Sequence, residues 1–81
     1  MTLEEFAFRI EGEIRDYLPE RYQDASVQIH EVKKLDQTYL GLTVIRPSGQ
    51  AAPIADLSMF YSWYTEGMPY EEAREKIVQL V

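Results

Sequence analysis

Side chains suited to catalysis or metal binding are scarce in this sequence, which contains one histidine, His30, and no cysteine. His30 alone supplies neither a Ser–His–Asp triad nor the several protein ligands of a zinc site. Carboxylates are plentiful, but neighbours such as Glu71 and Glu72 point apart on a helix and suit the positive end of its dipole. The four glycines are too widely spaced for a phosphate-binding loop. We therefore predict no enzyme activity, no metal site and no cofactor.

The densest group of aromatic side chains, at residues 59–64, is a second candidate for a site. Aromatic residues that stack on nucleic-acid bases are usually interleaved with Lys and Arg. Here the nearest charged residues are Asp56 and Glu66, which are both acidic. We interpret the segment as a helix that leaves Trp63 partly exposed, with a ligand or partner pocket as the alternative. The aromatics that we expect to face the core are Phe60, Tyr61 and Tyr64.

The chain is acidic, because 14 Asp and Glu against eight Lys and Arg give a net charge of −6 over 81 residues. Direct binding to nucleic acid is disfavoured, since that affinity comes from Lys and Arg that neutralise phosphates. A basic protein partner would suit this charge, whereas solubility alone is the simpler interpretation. The length fits one domain, with neither a secretory signal nor an apolar run of membrane-spanning length. We therefore expect a cytoplasmic protein that does not bind membranes.

The first predicted element is an amphipathic helix that starts after Thr2 and ends near Leu18, since Pro19 restricts the residue before it. Thr2 and Glu5 have the spacing of a capping box. Phe8 falls opposite the apolar stripe, and it is either a chance exposed aromatic or an anchor for a contact. The stripe that we predict to be buried consists of Leu3, Phe6, Ala7, Ile10, Ile14 and Tyr17.

The apolar, β-branched stretch at residues 37–47 is predicted to contain the central strand of a three-stranded meander. Residues 25–34 alternate in hydrophobicity and form the first strand, and residues 51–56 form the third. Gly49 suits the left-handed position of the turn between the second and third strands. Pro53 cannot donate a ladder hydrogen bond, so the third strand is placed at an edge of the sheet.

The hydrophobic alternation also predicts the register of both hairpins. The first hairpin would place Ile29 opposite Leu42. The second would place Val44 opposite Ala52 and, two residues further along, Leu42 opposite Ile54. The apolar residues of both hairpins then share one face of the sheet, and a slip of one residue would break that agreement.

Two helices are predicted after the sheet. Asp56 or Ser58 caps the first, which continues to about Tyr64, and Gly67 ends it. Pro69 suits the first turn of the last helix, whose apolar stripe is Tyr70, Ala73, Ile77 and Val81. The element order α-β-β-β-α-α predicts an α+β fold, a three-stranded antiparallel meander of order 1-2-3 with an N-terminal helix and two C-terminal helices on one face.

Several short stretches spread over most of the chain carry a family resemblance. They are residues 17–20 (YLPE), 22–25 (YQDA), 27–34 (VQIHEVKK), 41–44 (GLTV) with Pro47, 54–57 (IADL), the aromatics Phe60, Tyr61 and Tyr64, and Gly67 ahead of Glu71 and Glu72. Together they resemble an uncharacterised bacterial domain family known mainly from Gram-positive anaerobes. The resemblance implies the same element order and no catalytic motif, cofactor or substrate. Members often continue further, which implies either a stand-alone domain over residues 1–81 or the N-terminal domain of a longer protein.

The remaining candidates for function are surfaces. The sheet face opposite the helices would be mixed in character, so it is either a contact surface or an ordinary open face. His30 is predicted to be a solvated residue of that face. The free edge of the first strand suits either strand addition or a homodimer. The predicted partner-binding set combines the sheet face with two exposed aromatics and consists of His30, Val32, Tyr39, Ile45, Phe8 and Trp63.

These features favour a non-catalytic acidic module that binds a protein partner, or a small inhibitor whose target the sequence does not identify. The alternatives are a structural or accessory domain of a longer bacterial protein and, less in keeping with the residues, a small-molecule binder or enzyme. The salt dependence of partner binding separates two forms of the interaction-module hypothesis. An acidic mimic of nucleic acid would lose its partner steeply with rising ionic strength, whereas a sheet-face contact would respond little.

Overall fold

A computed structural model describes residues 1–80 and shows the α+β fold that the sequence predicts. One antiparallel sheet of order β1-β2-β3 follows an N-terminal helix and precedes two C-terminal helices. Val81, which was expected to continue the stripe of the last helix, lies outside the described residues. The elements are α1 (Leu3–Glu13), β1 (Ser26–Lys34), β2 (Gln37–Ile45), β3 (Ala55–Asp56), α2 (Leu57–Thr65) and α3 (Tyr70–Gln79), with 3₁₀ turns at Ile14–Tyr17 and Glu20–Tyr22.

The predicted capping box starts α1. The Glu5 N–H donates to the Thr2 hydroxyl at 3.2 Å, and the Thr2 N–H donates to the Glu5 carboxylate at 3.3 Å. The α-helix ends at Glu13, earlier than predicted, because the chain tightens into a 3₁₀ turn ahead of Pro19. That change of helical period turns Tyr17 off the buried stripe, and its side chain is 50% exposed.

The core lies between the three helices and one face of the sheet. Leu42 and Val44 of β2 are almost fully buried there, as are Phe6 and Ile10 of α1. The C-terminal helices complete the same cluster with Leu57, Phe60, Ala73 and Ile77. Asp56 caps α2 by accepting a hydrogen bond from the Met59 N–H at 3.0 Å, as one of the two predicted caps.

The register of the first hairpin is the predicted one. Ile29 pairs with Leu42, and Val27 pairs with Val44. The second turn also closes as expected, with Gly49 at φ +91°, where a residue without a Cβ is favoured. Next to this turn, the Ala52 N–H donates to the Val44 carbonyl at 2.9 Å.

The predicted register fails further along the third strand. Ile45 pairs with Ala51, but Leu42 pairs with Ala55 instead of Ile54. An advance of three residues along β2 therefore corresponds to four residues along the segment that pairs with it. The extra residue is a bulge beside Pro53, which has no N–H to hold a continuous ladder. Regular pairing is therefore confined to Ala55–Asp56 instead of residues 51–56.

The bulge exchanges two side chains between the faces of the sheet. Ala55 takes the core position beside Leu42 and is 1% exposed, while Ile54 turns to the opposite face. There it meets Val32 of β1 above Gly41 of β2. A methyl group placed on Gly41 would lie 2.8 Å from both the Val32 and the Ile54 Cγ2 atoms. Glycine at this position therefore allows side chains from the two outer strands to close over the central one.

This packing predicts opposite effects for two Gly→Ala substitutions. Gly41→Ala is expected to lower the free energy of unfolding by about 1–3 kcal/mol, because Val32 or Ile54 must move. Gly12→Ala is the control: Gly12 lies in α1 with no neighbour within 4 Å of the new methyl group. Alanine there is expected to raise the free energy by about 0.5–1 kcal/mol. Urea denaturation measures both, and a Gly41→Ala protein as stable as the wild type would contradict the packing.

Candidate functional site

The structure brings four of the predicted contact residues together on the sheet face opposite the helices, which we call the outer face. Val32 lies opposite Tyr39, and His30 lies opposite Gly41. His30, which was expected to be solvated, keeps only part of its surface exposed. It is half-buried, and its Nε2 atom lies 2.8 Å from the hydroxyl of Thr43, which is itself buried.

The side chains of the outer face partly cover one another. Val32, Tyr39 and Ile45 are all half-buried. Ile54, which the sequence assigned to the core, is the exposed apolar residue above Gly41. The face therefore combines partly packed side chains with one exposed apolar residue.

Trp63 is separate from this face, on α2. It is 38% exposed and packs edge-to-face on Phe60, with 5.3 Å between the ring centroids. Phe60 is buried, and Tyr61 and Tyr64 both pack against Phe6 of α1. The prediction of a core-facing aromatic segment with a partly exposed tryptophan is confirmed, and the aromatic contacts connect α2 to α1.

Phe8 is the most exposed aromatic side chain in the described part of the chain, at 77%. It borders an open groove of about 320 Å³ between α1 and the first hairpin. Ile29 of β1 and Leu40 of β2 line the groove with Ala7, and both are only half-buried although the sequence assigned them to the core face. The groove lies where α1 packs against β1, the edge strand of the sheet. It places an exposed aromatic side chain beside partly exposed apolar ones.

The groove lies beside the open edge of β1. The two-residue connection pairs Lys34 with Gln37, so Lys34 and every second residue before it bond to β2 through the backbone. On the other side of β2, the Leu40 N–H donates to the Ser58 hydroxyl at 3.1 Å. This bond points away from β1, as expected for a residue that lies between two bonded pairs. The backbone groups that point away from β2 belong to the alternate residues Val27, Ile29, Glu31 and Lys33.

The two edges of the sheet differ in how they are protected. The edge formed by β3 is only two residues long. A bulge and Pro53 lie just ahead of it, and all three features discourage pairing with another strand. The edge formed by β1 runs for nine residues. Within residues 1–80 its only neighbour in the sheet is β2.

Acidic side chains surround the groove. Glu4 and Glu11 flank Phe8 on α1, and an adjoining groove that shares Glu4 and Leu40 also includes Glu31 of β1. Among the described residues that line these two grooves, none is Lys or Arg. A ligand of this surface would therefore meet an apolar floor and a negatively charged rim.

A second cluster, which the sequence did not indicate, joins α1 to α3. The Glu13 carboxylate accepts from Arg9 Nε at 2.7 Å and from Arg74 Nη1 at 2.8 Å. Glu5 lies four residues before Arg9, but its carboxylate is used by the capping box. Arg9 also lies over the ring of Tyr70, 3.9 Å from its centroid.

Tyr70 does not turn this cluster into a reactive site. Its hydroxyl is buried and has no hydrogen-bond partner among the described residues. Burial, and then the charge of Glu13, raise the pKa of Tyr70 to about 12, so the phenol stays protonated at neutral pH. Both arginines are paired with Glu13. The cluster therefore connects two helices.

Neither a metal-binding group nor a membrane span is found in the described chain. No three acidic or histidine side chains of residues 1–80 come close enough together to hold a metal ion. No helix in that range has the length and apolar character needed to cross a bilayer.

The Glu13 cluster predicts a pH-dependent contribution to stability. The hydrogen bond from Arg9 lowers the pKa of Glu13, so its stabilising effect is present above the unfolded value of about 4.3 and is lost as pH falls through the lower folded value. Glu13→Gln is expected to lower the urea midpoint at pH 7 and to differ less from the wild type at pH 3. Glu20→Gln, at an exposed position, is the control. An equal deficit for Glu13→Gln at both pH values would contradict the assignment.

Comparison with known proteins agrees with the resemblance seen in the sequence. No curated protein and no solved structure matches the chain. A family model described as a family of unknown function, DUF5688, matches residues 3–81. The prediction of an uncharacterised domain family is therefore confirmed, and the chain belongs to the DUF5688 family.

Proposed function

We propose that this domain is a non-catalytic protein-interaction module and that its partner binds in the groove between α1 and β1. One observation carries the proposal: Phe8 is 77% exposed beside an apolar floor that includes Ile29 and Leu40. Aromatic anchors next to apolar pockets are where interfaces concentrate their binding energy. The groove is preferred to the outer face because none of the predicted contact residues on that face is as exposed as Phe8.

Burial of the Phe8 ring would make a measurable contribution to the binding free energy of a partner. Burying a fully exposed Phe side chain contributes about 1.5–3 kcal/mol, which corresponds to roughly 10- to 150-fold in Kd. Phe8 is close to that starting condition, since most of its surface is free in the unbound domain. Loss of its ring should therefore weaken a genuine partner by at least about tenfold, without the core damage that truncating Phe6 would cause.

The charge of the domain favours a basic partner. The chain carries a net charge of −6, and Glu4 and Glu11 lie on either side of Phe8. Complementary charge accelerates association and excludes acidic competitors more than it adds affinity. An inhibitor that covers the basic surface of a nucleic-acid-binding protein is one form that this proposal takes. Bacterial origin and a cytoplasmic location are part of the proposal and rest on the sequence alone.

The proposal is tested by retention of proteins from a lysate of the source cells on four immobilised variants. We expect the wild type to retain a protein that Phe8→Ser retains at least about tenfold less, because the anchor is lost. Leu35→Ser is the matched control, since Leu35 is a 98% exposed apolar residue at the tip of the first hairpin, away from the groove. It should retain the protein as the wild type does.

The fourth variant, Tyr39→Ser with Ile45→Ser, tests the outer face. Loss of the retained protein in this variant, with normal retention by Phe8→Ser, would contradict the groove and assign the contact to the outer face. Circular dichroism of each variant establishes that it is folded. Equal retention by the wild type and Phe8→Ser would also contradict the proposal.

A further inference from the structure

We infer that the occupant of the groove is an extended, basic segment of the partner protein, which adds to the open edge of β1 as a fourth strand. The inference rests on the proposed function, because it names the partner of the same surface. Three features support it: the phase of the free backbone groups, the position of the groove and the charge of its rim.

The backbone of β1 provides the first argument. Outward-pointing N–H and C=O groups recur at Val27, Ile29, Glu31 and Lys33 along a strand of nine residues, which spans about 30 Å. An added strand satisfies such groups by main-chain hydrogen bonds, which provide affinity without requiring a particular sequence. The β3 edge lacks this capacity, because it is two residues long. The fold therefore leaves one edge able to accept a strand.

The position of the groove provides the second argument. The side chain of Ile29 lies on the core face of β1, where it lines the groove with Phe8. A strand paired with β1 places every second side chain on that face, about 4.5–5.5 Å from its cross-strand neighbour. Apolar side chains at those positions would fill the groove and cover Phe8. Strand addition therefore explains why an exposed aromatic residue lies directly beside an open edge.

The charge provides the third argument and selects the occupant. Glu4, Glu11 and Glu31 border the grooves without a lining Lys or Arg, so Lys or Arg side chains on the added strand would meet carboxylates. A second copy of this chain would bring another three carboxylates and a further charge of −6 to the same edge. Such like-charge juxtaposition opposes a homodimer.

The probe for this inference is a capped nine-residue peptide, Thr-Lys-Thr-Val-Thr-Val-Thr-Lys-Thr, whose Val and Lys side chains share one face of the strand, because Ile29 and Glu31 share the core face of β1. A second peptide has the same sequence and charge but is N-methylated at alternate residues. It therefore lacks the N–H donors along one of its edges and cannot form main-chain hydrogen bonds there. The domain variants are Glu31→Pro, which removes an outward N–H without breaking a bond to β2, and Glu31→Gln, which removes the charge alone. Binding is measured by calorimetry, and amide chemical shifts locate it.

We expect the unmodified peptide to bind the wild type and to shift the amides of Ile29 and Glu31. The N-methylated peptide, and the Glu31→Pro and Phe8→Ser variants, should each weaken binding at least about tenfold, whereas Glu31→Gln should weaken it less. Equal binding of both peptides, normal binding to Glu31→Pro, or no binding of the unmodified peptide at millimolar concentration would overturn the inference.

The result also separates the two proposals. If Glu31→Pro retains the lysate partner normally while Phe8→Ser loses it, the groove binds a protein and strand addition is wrong. If neither substitution affects retention, both proposals are wrong. A stable dimer in sedimentation that Glu31→Pro dissociates would overturn the basic partner in favour of a second copy of the chain.

Discussion

The packing of Val32 and of Ile54 over the bare backbone of Gly41 is the constraint on which the arrangement of this small domain depends. It connects the first strand to the third across the central one, and it requires the bulge at Pro53 that turns Ile54 to the outer face. It closes a surface that a three-stranded sheet with helices on one side would otherwise leave open. What stays open is the edge of β1 and the groove beside Phe8, and the functional proposals follow from that division.

The parts of the fold that were predictable depend on local chemistry. The capping box at Thr2 and Glu5, the cap at Asp56 and the turn at Gly49 each have a side-chain or backbone reason that is visible in the sequence. The first hairpin was predictable because its two-residue connection leaves no freedom of register. The bulge was not, since Ile54 and Ala55 are both apolar and the sequence does not say which one faces the helices.

The candidate site was predictable only in part. Helical periodicity placed Phe8 away from the core, and the exposed ring agrees with that. The groove beneath it depends on where α1 crosses the sheet, which is a property of packing. Ile29 and Leu40 pack against the core as expected, but the sequence does not show that they stay half-buried beside Phe8. The Glu13–Arg74 ion pair joins residues that are distant in sequence, and no local pattern indicates it. The outer-face residues were correctly grouped, but the position of Ile54 over Gly41 was not foreseen.

The central claim is that β1 has one bonded edge and one open edge, and amide hydrogen exchange in the dilute, unbound domain tests it most directly. The claim predicts slow exchange for His30 and Val32, whose N–H groups bond to β2, and fast exchange for Ile29 and Glu31, whose N–H groups point outward. Alternating protection of this kind along β1 would support the account. Equal, strong protection of all four amides would contradict it, because the edge would then already be occupied.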